Sequence, residues 1–378
     1  LVLVTGFSAY IHIPTEAEPD INIPIMYVSM THEGISPEDA DRLLIQPMEK
    51  ELKSIEGVKE VRSTAATGYA NVLLEFEAGF DPDEAMENVR EKVDTAKAEL
   101  PIETEEPVVH EVNLSLFPVI IVSLGGNVPE RTLLALGRRL RDQIETIPTV
   151  LEANIAGDRD EMVEIIIDPM RVESYSLDAR KIIEQVQRSN KLVAAGSLDT
   201  GTGRYNIKVP GLFENMQDIL NMPLKVNGDV VVRIRDVAVL NRTFKDRRTF
   251  ARVNGKPAIS IEVTKRSGEN IIETIRSVRA IVENTKNAWP EGLHVTYSQD
   301  KSRQIQIMLQ DLQNNVTSAV LLVMIVVVGA LGVRSGLMVG IAIPASFLSG
   351  ILVLAMLGFT VNIVVLFALI LSVGMLVD

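Results

Sequence analysis

The run Val361 to Val377 carries no charge and ends on Asp378. Two further apolar stretches precede it in the chain. A carboxylate in such a setting costs roughly 2.5–3.5 kcal/mol on insertion scales. A chain carries that cost when the group works, and the work open to a carboxylate there is to bind and release a proton or cation. Position alone leaves a second reading, in which Asp378 marks the cytoplasmic end of a helix.

Other chemistries find no support. No GxxxxGK[ST] loop is present: before Gly255-Lys256, Phe250 stands where the first Gly is needed, and Pro257 stands where Ser or Thr is needed. Gly201-Thr202-Gly203 does not open a helix after a strand, so it is no dinucleotide fingerprint. There is no GxSxG elbow. The chain has no cysteine, which excludes disulfides, thiolate metal sites and cysteine nucleophiles. His12, His32, His110 and His294 are scattered, so no zinc site is expected. The reading is not that of an enzyme, and no cofactor is expected. Energy for any work must come from a proton or cation gradient.

Charge is distributed unevenly. From Val316 onward the only charged residues are Arg334 and Asp378, which cancel, so the whole net charge of −13 lies before Val316. An acidic soluble part has no basic face for phosphates, which argues against nucleic acid. A length of 378 residues suggests two or three domains.

The soluble part repeats one pattern. Ile23–Ser29 reads as a strand. Ser36-Pro37 then supplies an N-cap and a first-turn proline. Ala40, Leu44, Met48, Leu52 and Ile55 follow at helical spacing, with Pro47 expected to kink the helix. Strands are predicted over Val58–Val61 and Asn71–Phe76. Asp81 to Glu84 opens a second helix as a capping box, Pro101 ends it, and Val108–Val112 is a further strand. The order βαββαβ is the ferredoxin-like pattern. It restarts with a strand at Val119–Ser123, a helix over Pro129–Ile147, and strands at Val150–Ile155 and Met162–Ile167. Residues from about 169 to 247 then intervene, with a helix over Asp178–Ser189, a Gly-rich hairpin over Asp199–Tyr205 and an Asn227-Gly228 turn. The pattern resumes with Pro257–Val263, a helix over Glu269–Asn287 and Leu293–Tyr297.

After Asp300 the chain changes. Ile305–Asn315 is an amphipathic lead-in to the apolar run Val316–Leu331. Arg334 is expected in a short turn, Leu337–Leu357 spans next with Pro344 inside, and Gly358 to Thr360 turns into the third span. Three crossings of about 20 residues match a bilayer. Arg334 places its turn in the cytoplasm by the positive-inside rule, and the soluble part on the other side. The start, Leu1 to Pro14, reads as the outer end of a further apolar helix. Both ends read as cut, and the chain is expected to be a fragment.

This layout resembles the resistance-nodulation-division exporters, and the resemblance covers essentially the whole chain. It rests on Asn254-Gly-Lys-Pro-Ala258, Val232-Arg-Ile-Arg-Asp-Val-Ala238, Ala194-Ala-Gly-Ser-Leu198, Pro344, Asn362 and Gly374-Met-Leu-Val-Asp378. It implies an α+β membrane protein with two ferredoxin-like periplasmic porter subdomains, the second carrying an inserted docking domain, followed by transmembrane helices. The implied divisions are 1–9 for the end of a first membrane helix and 10–112 for the first porter subdomain. The second porter subdomain covers 113–165 and 248–300, the docking domain 166–247, and the second to fourth membrane helices 301–378.

The resemblance also implies roles. Asp378 matches the first of two aspartates of a proton relay. Ser29, Glu111, Ser115 and Phe117 align with substrate-contacting positions, and Gly201, Gly203 and Tyr205 with an arm that reaches into a neighbouring subunit. Ala156 stands where the drug exporters have a further pocket aromatic. The implied protein is an inner-membrane subunit of a bacterial pump that exports hydrophobic and amphiphilic compounds against protons. Its implied partners are two further copies in a homotrimer, a periplasmic adaptor, an outer-membrane channel and the lipid bilayer, with no nucleic acid. Two other readings stand beside it. A heavy-metal exporter would want a methionine ladder, and Met324, Met338, Met356 and Met375 read more simply as apolar filler. A non-transporting accessory protein would have no use for the inserted domain.

Overall fold

The computed structural model describes residues 2–19, 22–190, 193–199, 204–209, 213, 215–227, 230–247 and 249–377. The chain divides into two units, Leu1–Ala156 with Ala251–Asp378, and Gly157–Phe250.

The first unit opens with the apolar helix α1 (Val2–His12), a connecting stretch, and strand β1 (Asn22–Thr31). Ser36 caps α2 (Pro37–Ala40) by accepting from the Asp39 N–H, with Pro37 in the first turn. A π-helical turn, Asp41–Ile45, leads into α3 (Gln46–Leu52). Pro47 therefore widens the helix rather than breaking it. A proline ring crowds the carbonyl four residues back, and a wider turn relieves that clash. Strands β2 (Val58–Ala66) and β3 (Tyr69–Phe76) follow, then α4 (Pro82–Lys97), capped by Asp81, and β4 (Val108–Asn113). The four strands form one antiparallel sheet in the order β2-β3-β1-β4. Met26, Val28, Val72 and Leu74 bury one face of it against Leu44, Met48, Val89 and Val93 of the helices. The chain continues through β5 (Ile120–Gly126), α5 (Glu130–Glu145) and β6 (Val150–Ala156).

The second unit holds β7 (Glu161–Ile167), α6 (Pro169–Ser174), α7 (Ala179–Ser189), β8 (Val193–Asp199), β9 (Arg204–Val209) and α8 (Met216–Asn221). It closes with β10 (Pro223–Asn227), β11 (Val230–Arg233), α9 (Ile234–Val237) and β12 (Ala238–Phe244). Its ladders are β7 with β12, β8 with β9, and β10 with β11, all antiparallel. Its small cores gather around Val172, Ile182, Val232 and Val237, and around Met222, Ile234 and Ala238.

Back in the first unit, β13 (Ala251–Val253), β14 (Lys256–Lys265), α10 (Ile271–Lys286) and β15 (Leu293–Ser298) complete the second sheet. β14 pairs with both β6 and β5, and β15 closes on β5. The strand beside β6 is thus β14, while β7 pairs with β12 in the other unit.

Helix α11 (Lys301–Leu331) is continuous from the sheet into the apolar run, and at 31 residues is about 46 Å long. It ends at Gly332, whose φ of 86° is open to glycine at no cost, and α12 (Val333–Met356) restarts at once. Arg334, expected in a turn, therefore lies in the first turn of α12. After Gly358 the chain enters α13 (Ile363–Val377). α11 and α12 are long and apolar enough to cross a membrane, each holding an 18-residue stretch of high mean hydropathy, 2.1 in α11 and 2.3 in α12. The third expected span, α13, is described over 15 residues.

Candidate functional site

The sequence points to four residues as a pocket. Ser29 lies on β1 opposite Val108 of β4. Its hydroxyl donates to the Val108 carbonyl at 3.4 Å and lies 3.2 Å from His110 Nε2. The Tyr27 and His110 rings stack on the same face, with centroids 4.6 Å apart. Glu111 pairs in register with Met26, and Met26 and Ser29 are three positions apart on one strand. Alternation therefore sends Ser29 and Glu111 to opposite faces of the sheet. The Asn113 amide donates to Glu111 Oε1 at 3.3 Å. Ser115 sits in a single 3-10 turn, Leu114–Leu116, and its side chain lies outside the described residues. Phe117 follows that turn and leads into β5, with its ring half exposed at 49%. The four positions thus gather around β4 and the turn after it, but they do not share one face.

The other sequence candidates are less visible. Asp378, Gly201 and Gly203 lie outside the described residues. Tyr205 is on β9 opposite Leu198, and its side chain lies outside the description. The described part of α13 stops one residue short of Asp378.

A polar cluster that sequence reasoning missed lies where the chain leaves α1. Glu16 and Lys265 are both 4% exposed as side chains, and Lys265 Nζ donates to Glu16 Oε1 at 2.5 Å. The same oxygen accepts from the Gly268 N–H at 2.9 Å, and Oε2 accepts from the Thr360 hydroxyl at 2.8 Å. Buried charges persist when paired and fully hydrogen-bonded, and this carboxylate is.

A second cluster fixes the start of α11. Asp300 caps it by accepting from the Ser302 N–H at 3.1 Å, and pairs with Arg279 of α10 at 2.5 Å. Arg279 also lies over the Tyr297 ring, 4.2 Å from its centroid. Burial pushes the Asp300 carboxyl up, but the Ser302 hydroxyl and the Arg279 guanidinium outweigh it and hold it below its ordinary value. Nearby, a cavity of about 250 Å³ is lined by Tyr10, Thr15, Asn270, Arg276, Leu312 and Leu366. Among the described residues, no group of three or more His, Asp or Glu side chains is placed to hold a metal ion.

The family model for the AcrB/AcrD/AcrF family matches residues 1–378, the whole chain. The chain belongs to the AcrB/AcrD/AcrF family. Curated relatives agree. The chain is 24% identical over 383 residues to the multidrug resistance protein MdtC of Pantoea ananatis (strain AJ13355). It is 25% identical, again over 383 residues, to MdtC of Escherichia coli O1:K1 / APEC and of Shigella boydii serotype 4 (strain Sb227). In each case all of this chain is matched and 37% of the relative is covered. An AcrB/AcrD/AcrF chain is what the resistance-nodulation-division resemblance led one to expect. Mixed helices and antiparallel sheets with two membrane-length helices fit that membership.

Proposed function

We propose that this chain is part of an inner-membrane efflux pump that exports hydrophobic and amphiphilic compounds in exchange for protons. The observation that carries the reading is the match of the whole chain to the AcrB/AcrD/AcrF family. The relatives' printed name, multidrug resistance protein, points to drugs as the cargo. The heavy-metal and accessory readings gain no observation in their favour.

In this reading the two sheets are ferredoxin-like porter subdomains on the periplasmic side. Support comes from their shared order: β2-β3-β1-β4 in the first and β6-β14-β5-β15 in the second. The unit Gly157–Phe250 is the inserted docking domain, with the arm of Gly201, Gly203 and Tyr205 engaging a neighbour in a homotrimer. An adaptor and an outer-membrane channel complete the export path. Ser29, Glu111, Ser115 and Phe117 contact substrate at different stages, since Ser29 and Glu111 leave their sheet on opposite faces.

Asp378 binds the driving proton, and no resident cofactor takes part. Protonation removes a charge from the apolar helix bundle and changes which neighbours α13 attracts. Helix α11 carries the resulting shift outward, because it runs unbroken to Asp300 and its first N–H, that of Lys301, bonds the Val119 carbonyl beside β5 at 3.1 Å.

The test is efflux of dyes and detergents by the full-length parent protein, wild type against Asp378→Asn, with a protonophore control. The expected result is abolished efflux with trimer assembly intact. Normal export by Asp378→Asn would overturn the proton-site reading and leave Asp378 as a helix-end residue.

A further inference from the structure

The buried pair Glu16–Lys265 sits where three segments converge, all within the first unit. The segment Pro14–Ala17 forms an isolated parallel bridge, Thr15 with Val361. On one side it bonds the turn between α12 and α13: Val361 N–H donates to the Pro14 carbonyl at 2.9 Å, and Glu16 N–H donates to the Val361 carbonyl at 3.0 Å. On the other side it bonds the start of α10: Ile271 N–H donates to the Thr15 carbonyl at 2.9 Å, and the Thr15 hydroxyl donates to Asn270 Oδ1 at 3.2 Å. Between these rows the Glu16 carboxylate takes one oxygen to Thr360 of the membrane turn and the other to Lys265, which ends β14, and to Gly268 in the turn that leads into α10. Lys265 closes β14, and its ammonium also donates to the Arg266 carbonyl at 3.0 Å.

A buried ion pair is a poor device for stability, since well-packed apolar residues of similar volume often serve as well or better. What it supplies is fixed geometry, because each polar atom must find its partner at hydrogen-bond distance. Here that geometry spans the membrane turn and the end of one strand. The other connection from the bilayer, α11, reaches the adjacent strand β5. Neighbouring strands of one sheet are thus held from two different membrane elements.

We propose that Glu16, Lys265 and Thr360 are positioning residues forming a joint, through which displacement of the α12–α13 turn reaches β14 while α11 carries its own displacement to β5. The inference rests on the transport reading above. Relative movement of α11 against α12 and α13 would then shear or tilt the second sheet, beside whose entry Phe117 stands. Phe117, Lys265, Glu16 and Lys301 line one small cleft, so the joint lies next to a candidate substrate residue.

The experiment uses the full-length parent protein in lipid nanodiscs and proteoliposomes. The variant is the double Glu16→Gln/Lys265→Met, which removes both charges and leaves neither one buried alone, with Lys265→Arg as the conservative control. Spin labels at Phe359→Cys, on the membrane turn, and Asn287→Cys, at the end of α10, report the distance across the joint. Dye transport under a pH gradient is measured in parallel, together with trimer assembly and melting temperature. The expected result is a narrow distance distribution for wild type and Lys265→Arg, and a broad one for the double variant. Dye transport by the double variant should drop by about tenfold, the ordinary size of a coupling between sites, with assembly and melting temperature kept. An unchanged distribution overturns the joint, as does a broadened one with full transport. Absence of dye transport in wild type would sink the exporter reading instead, and the distance measurement would still decide the joint.

Discussion

Asp300 is where a single charge has a consequence that pH can read. Its carboxylate caps α11 and pairs with Arg279, and it is held below its ordinary value. A depressed carboxylate contributes stability that is present above its unfolded value and lost as pH falls through its folded one. Melting temperature should therefore decline as pH drops from about 5 toward 2, in part through this group. Asp300→Asn keeps a good capping side chain but loses the charge, so it should cost about 0.5–1 kcal/mol at pH 7, discounted for the exposed half of Arg279. It should also flatten the acid limb of a melting-temperature profile. If wild type and Asp300→Asn decline in parallel, the Arg279 pair contributes nothing. The capping role could be anticipated, since Asp300 opens the helix after a strand. The Glu16–Lys265 pair could not, because its partners stand 249 residues apart. Charges that meet only through tertiary structure leave no periodicity. The pocket positions came from resemblance, which says nothing about pleat; hence the two faces for Ser29 and Glu111.

At the scale of elements, the apolar helices α1, α11 and α12 meet at glycines. A Cβ on Gly6 of α1 would lie 2.6 Å from the Leu348 carbonyl oxygen of α12, a backbone atom that cannot rotate away. A Cβ on Gly336 of α12 would lie 2.3 Å from Val328 Cγ2 of α11, and one on Gly340 would meet Met324. Small residues let membrane helices approach closely. Gly350, in the same helix, has open space around its Cβ position. Gly6→Ala should therefore destabilise the parent protein by about 1–3 kcal/mol through overpacking. Gly350→Ala should be neutral or stabilising, by up to about 1 kcal/mol of helix propensity. Thermal unfolding in detergent compares the two, and equal shifts would mean that α1 and α12 leave room for a methyl group at Gly6. The Gly336-x-x-x-Gly340 spacing is a signal for this packing that the sequence carries openly. Strand and helix positions were mostly legible, because β3 alternates and α4 carries Val89, Val93 and Ala96 at helical spacing. The π-helical turn before Pro47 and the one-residue break at Gly332 were not, because each is a local compromise between packing and backbone geometry.

For the molecule as a whole, the unit Gly157–Phe250 has what a separate folding unit needs. Its two ends are clasped by the β7–β12 ladder, which runs in register from Glu161 with Phe244 to Ile167 with Ala238. Arg159 reinforces the clasp by donating to the Lys245 carbonyl at 2.6 Å and the Phe244 carbonyl at 3.2 Å, while Lys245 N–H donates to the Asp160 carbonyl at 2.9 Å. Its core is its own, with Ile234 and Val237 fully buried among residues of the same unit. Expressed alone, Gly157–Phe250 should give one sigmoidal urea transition by far-ultraviolet circular dichroism. A domain this small is marginal, so Ile234→Ala, which costs about 2–5 kcal/mol, should remove most of its stability and move the midpoint to low urea. Lys245 and Asp160 of the clasp are exposed and Arg242 is exposed beside a partly buried Glu161, so high salt should move the midpoint little. A featureless slope for the wild-type fragment would show that the clasp and these small cores do not hold it, and that its order depends on being inserted between β6 and β13.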